Sequence, residues 1–165
     1  LDLPYFERQI PTSENVARVL WDKLQAQPDI GTLQRLSLYE DEDLCADLTA
    51  EAGPEVASVT RRYSFTAVHD GHRGHTWDLF VSVHGPIDRE TGMVTDIVAL
   101  DHLLKERVLV PFDGRDLRMV LATPSVTGEY LAKAVWDRIV SAIPAGTLQL
   151  VKLVQTRDLF YEYAG

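Results

Sequence analysis

All five histidines of this 165-residue chain fall between positions 69 and 102. Imidazole is the side chain most suited to holding a metal or moving a proton near neutral pH, so the crowding marks the first place to look for chemistry. Within Gly71-His72-Arg73-Gly74-His75 the spacing is informative. Alternate residues of a strand share a face, which groups Arg73 with His75, Trp77 and Leu79 and turns His72 away. A bulge at Gly71 or Gly74 would re-aim His72. Arg73 cannot ligate a metal, because a guanidinium stays protonated and has no lone pair to offer. A second concentration of reactive groups is the acidic run Glu40-Asp41-Glu42-Asp43. The single cysteine, Cys45, excludes an intrachain disulfide and a CxxC thiolate site, and it fits a reducing, cytoplasmic compartment.

These groups sit in an ordinary globular composition, 45% hydrophobic and 25% charged. No apolar run approaches the ~20 residues of a membrane helix. Sixteen basic against 25 acidic residues give a formal charge of −9, which disfavours nucleic acid and anionic membranes as partners. The chain starts at Leu1 without a recognisable leader, so it is expected to begin inside a longer product.

The elements that must position the reactive groups emerge from an internal repeat. Residues 12–48 match residues 127–163 at a constant offset of 115 with no gap. Thr12, Glu14, Ala17, Trp21 and Asp22 meet Thr127, Glu129, Ala132, Trp136 and Asp137, and Gly31-Thr32-Leu33-Gln34 recurs as Gly146-Thr147-Leu148-Gln149. Each copy opens with a helix start at Thr12 or Ser13, and at Thr127, followed by an apolar stripe at helical spacing. Two strands follow, from Leu33 to Glu40 and from Leu148 to Gln155, each leading into a shorter one. Only the second copy carries an earlier hairpin, Val59 to His69 and His75 to His84, and a helix from Asp96 to about Lys105. The expected organisation is the C-terminal half of a first unit at 1–50, a linker at 51–57, and a complete β-β-α-α-β-β unit at 58–165.

From Tyr63 onward the chain resembles the 6-pyruvoyl/6-carboxy-tetrahydropterin synthases. The resemblance is carried by Phe65-Thr66-Ala67-Val68-His69, by Val81-Ser82-Val83-His84-Gly85, by Thr91-Gly92-Met93-Val94-Thr95-Asp96, and by Pro11-Thr12-Ser13-Glu14-Asn15-Val16-Ala17. It implies an α+β T-fold (tunnelling fold): an antiparallel four-stranded sheet with two helices on one face, here as a tandem repeat with copy one truncated. Such units join edge to edge, so a homo-oligomer, or pairing with the missing half of copy one, is expected.

The resemblance also assigns roles. It implies a Zn²⁺ site with His69 as first ligand and His75 as last, Arg73 standing in the middle place and His72 as the nearby substitute. The metal would act as a Lewis acid during proton transfers on a dihydroneopterin triphosphate-like pterin. No cysteine lies between His69 and His75 to serve as the family's base. Asp113 matches the aspartate of the family's proton shuttle, with Gly114 in place of its histidine. The ring anchor falls on Glu40 in copy one and on Gln155 in copy two, and Thr12 could add a hydrogen bond to the ring. A binding or assembly module that has lost catalysis, or a binder of another purine-like ring, is the alternative. His84 and His102 match no ligand position and are expected at the surface.

Overall fold

The computed structural model describes residues 6, 7, 9–69 and 74–165. Helix α1 (Ser13–Gln25) precedes strands β1 (Arg35–Tyr39), β2 (Leu44–Thr49), β3 (Val56–Ala67) and β4 (His75–Pro86). Helix α2 (Ile97–Leu104) runs on through a π turn at Lys105–Leu109 into α3 (Val110–Phe112), so this helical segment is longer than the sequence suggests. A short α4 (Leu117–Val120), α5 (Gly128–Ile139), β5 (Thr147–Thr156) and β6 (Leu159–Tyr163) complete the chain. Helix α5 starts 115 residues after α1, and β6 starts 115 after β2.

All six strands form one antiparallel sheet in sequential order, two more than a four-stranded unit holds. The stretch expected to act as a linker is a short turn: Gly53 N–H donates to Thr49 O, and β2 pairs with β3 from Leu44↔Arg61 to Asp47↔Ser58. Period-2 alternation decides the faces. Ala57, Val59, Phe65 and Ala67 of β3 and Trp77, Leu79, Val81 and Val83 of β4 are buried on one side. There they join Leu100, Leu104, Phe112, Leu131, Val135 and Ile139 from the helices in a single core. Helix α1 lies over β1 and β2, and α5 over β5 and β6.

Among the described residues the opposite face carries no helix. It is a shallow groove of about 790 Å³ crossed by ion pairs between neighbouring strands, among them Arg35–Asp47 at 2.9 Å and Arg62–Asp78 at 3.1 Å. His84, expected as a surface residue, is half-buried on this face, with Nδ1 3.0 Å from Ser58 Oγ. His102 is exposed as expected.

Candidate functional site

The N-terminus of α1 gathers most of the polar groups that the sequence singles out. Thr12 caps the helix, its hydroxyl accepting from Asn15 N–H at 3.2 Å and donating to Gly92 O at 2.5 Å. Ser13 Oγ donates to Glu40 Oε2 at 2.7 Å. That bond fixes an exposed carboxylate beside the positive end of the helix. It leaves Glu40 Oε1 without a hydrogen bond from any described residue. Glu14 is only 4% exposed, and its Oε1 accepts from Val94 N–H at 3.1 Å. Burial pushes the Glu14 carboxyl up from its ordinary range, and the nearby Glu40 charge adds to the push. Asn15, equally buried, donates from Nδ2 to Ile10 O at 2.8 Å. The helix start is thereby keyed into the Thr91–Asp96 turn, where Gly92 has φ +73°.

The positions 115 residues further along the chain are built differently. Thr127 caps α5 through Tyr130 N–H at 3.3 Å. Where α1 has Ser13, α5 has Gly128, and the Tyr161 ring lies against it. Tyr161 OH donates to Gln155 Oε1 at 3.2 Å, and its ring lies 6.3 Å from that of Trp77. Gln155 itself sits at an irregularity between Val154 and Thr156 in the pairing of β5 with β6, the kind of local break that re-aims a side chain.

Two of the histidines do converge. His69 and His75 have ring centroids 6.4 Å apart, and Trp77 lies edge-on to both at 5.2 and 5.1 Å. His72 and Arg73 lie outside the described residues. Among the described residues no three His, Cys, Asp or Glu side chains are grouped to hold a metal. With Zn–N bonds near 2.0 Å, two imidazoles on one tetrahedral zinc have centroids about 5 Å apart, so this pair stands wider than a bound zinc needs. His75 Nε2 and Trp77 Nε1 are buried without a hydrogen-bond partner among the described residues. Two imidazoles alone do not make a catalytic zinc site, which takes three protein ligands. Asp113 is committed elsewhere: its Oδ1 accepts from Thr66 N–H at 2.8 Å, and Gly114 N–H donates to Thr66 O at 2.6 Å. These bonds tie the end of α3 to β3.

Sequence reasoning named Glu40, Thr12 and Gln155 but missed the parts played by Ser13, Glu14 and Tyr161. The repeat register held a signal for two of them. Ser13 is matched by Gly128, and Ala46 by Tyr161, at the 115-residue offset.

The family described as 6-pyruvoyl tetrahydropterin synthase matches residues 2–51 and 58–165. Over 134 residues the chain is 32% identical to the 6-pyruvoyl tetrahydrobiopterin synthase of Pongo abelii and 31% identical to that of Homo sapiens. Each alignment covers 66% of this chain and 92% of the relative. Among solved structures, the 6-pyruvoyl tetrahydropterin synthase of Caenorhabditis elegans aligns with a TM-score of 0.61 at 23% identity, covering 67% of this chain and 96% of that one, which speaks to the fold. The chain therefore belongs to the 6-pyruvoyl tetrahydropterin synthase family.

Proposed function

We propose that the chain binds the ring of a dihydroneopterin triphosphate-like pterin, with Glu40 as the anchor. One observation carries the reading: Ser13 holds the Glu40 carboxylate at the start of α1 while leaving acceptor positions open. A carboxylate offers two acceptors to two adjacent ring N–H donors, and such charge-assisted pairs fix orientation as well as affinity. Gln155, at the matching place, has one acceptor oxygen, and Tyr161 OH already uses it. Thr12 is left with little to add, since its hydroxyl serves both the cap and Gly92 O.

The same reading treats residues 12–48 and 127–163 as copies of one unit, supported by the common starts of α1 and α5 and of β2 and β6. The outer edges of β1 and β6 then suit pairing with a further copy, or with the half that copy one lacks. A reducing compartment such as the cytoplasm fits the buried, free Cys45.

A second reading adds turnover of the lyase type, by zinc-assisted proton transfer. It is favoured by the convergence of His69 and His75 and by His75 Nε2, buried without a hydrogen-bond partner among the described residues. Bound zinc would polarise a substrate oxygen. His69, His75 and, by resemblance, His72 would hold it. The use of Asp113 as a backbone acceptor weighs against this reading.

Neopterin fluorescence titration tests the anchor. Glu40→Gln should weaken binding about 30- to 1000-fold, the cost of one charged bond plus an unpaired donor. Gln155→Ala should leave it nearly unchanged. Normal binding by Glu40→Gln, or loss of binding in Gln155→Ala, would place the ring elsewhere.

A further inference from the structure

We infer that Tyr161 fills, from within the chain, the ring pocket that Gln155 would otherwise present, so that each chain has one ring site, at Glu40, and not two. This deepens the Glu40 reading and rests on it. The argument comes from three positions that change together between the copies: Ser13 to Gly128, Glu40 to Gln155, and Ala46 to Tyr161. In the first copy a helix hydroxyl orients a carboxylate, and β2 has the small, fully buried Ala46, paired with Leu38, at the position matching Tyr161. In the second, β6 contributes a phenol at the corresponding place, and the helix has surrendered its side chain to make room. A Cβ on Gly128 would lie 2.1 Å from Tyr161 Cε2 and 2.2 Å from Cδ2. No rotamer of a serine relieves an overlap that begins at Cβ.

The phenol also mimics what a ring would do. Its ring lies tilted at 49° to that of Trp77, which is 1% exposed, and it supplies the donor that Gln155 Oε1 accepts. A ligand entering here would have to displace a satisfied hydrogen bond and a packed ring, and it would then meet an amide in place of a carboxylate. Each of the three exchanges alone would weaken a pterin site. Together they replace the ligand by a residue of the chain.

Two experiments test this. The first needs no ligand. Gly128→Ala should lower the thermal midpoint by several degrees in the native background and leave it unchanged in a Tyr161→Ala background. Equal losses in both backgrounds would overturn the inference, because Tyr161 would then not own that space. The second restores the first copy's set in the second: Gly128→Ser, Gln155→Glu and Tyr161→Ala, added to Glu40→Gln. The native chain should bind one neopterin, Glu40→Gln should bind it about 30- to 1000-fold more weakly, and the quadruple variant should bind one again at near-native affinity. A native stoichiometry of two, or a folded quadruple variant that binds none, overturns the inference. A native chain that binds none beside a quadruple variant that binds one refutes the Glu40 reading instead and leaves the filled pocket standing.

Discussion

Replacing Gly92 by alanine should show how strongly the candidate site depends on the docking of α1. Gly92 has φ +73°, and an added Cβ would lie 2.3 Å from Asn15 Nδ2 and 3.1 Å from Thr12 Oγ1. Two costs add. A left-handed backbone at alanine costs about 1–2 kcal/mol. Displacing Thr12 and Asn15 loses their bonds to Gly92 O and Ile10 O, at about 1 kcal/mol each. The sum is about 3–4 kcal/mol, which for a chain of this size lowers the melting midpoint by roughly 6 to 16 °C. Gly53 provides the control, since it has φ +79° but nothing within 4 Å of an added Cβ. Gly53→Ala should therefore show only the backbone cost, about 2 to 8 °C. Thermal unfolding of both variants, followed by circular dichroism, measures the difference. Equal shifts would refute the reasoning, because the helix start would then not be keyed to the turn. Neopterin affinity should fall in Gly92→Ala and hold in Gly53→Ala, since only the first disturbs Ser13 and its grip on Glu40.

Other outcomes follow from the same geometry. Elemental analysis of freshly purified protein should find well under one zinc per chain; one tightly held zinc, lost on His69→Ala or His75→Ala, would favour the turnover reading. Because burial raises the folded Glu14 carboxyl above its usual 4.5, the folded state holds that proton more tightly than the unfolded chain. The stability linked to Glu14 is then fully present below about 4.5 and is lost as pH rises through the folded value. Glu14→Gln should flatten that fall relative to the native chain, measured as denaturant midpoints between pH 4 and 8, and an unchanged slope would count against it. Tyr63 OH donates to Asp101 Oδ1 at 2.8 Å, and burial followed by this bond pushes its phenol well above the ordinary range. Tyr63→Phe should cost about 1–2 kcal/mol by leaving Asp101 with Arg61 alone, read from urea unfolding.

The sequence carried those parts of the fold that periodicity and capping control. Thr12 and Thr127 cap α1 and α5 at the places their patterns indicate, and the alternating runs became β3 and β4. The continuation of α2 past Lys105 was not legible through the charged run Lys105-Glu106-Arg107, beyond which Val108 and Phe112 are wholly buried. The site was legible where one residue type carries the chemistry, as at Glu40. It was not legible where a side chain acts on something distant. Glu14 stands in the first turn of α1, where any acid suits the positive helix end, yet it satisfies a backbone amide 80 residues away. Tyr161 looked like one aromatic in a strand. Only the space above Gly128 reveals its part, and spacing along a chain says nothing about space.

The turn between β2 and β3 has a consequence for concentration. A seam between separate chains opens on dilution, because each closure must recover lost translational freedom. Here the strands on either side of the seam are tethered by the few residues from Ala50 to Glu55, so they meet at the high effective molarity of a short loop. The contacts that seat Glu14 on Val94 and Thr12 on Gly92 cross that same seam. The placing of Ser13 and Glu40 is thus set within one molecule. It should survive at nanomolar protein, whatever happens at the edges of β1 and β6.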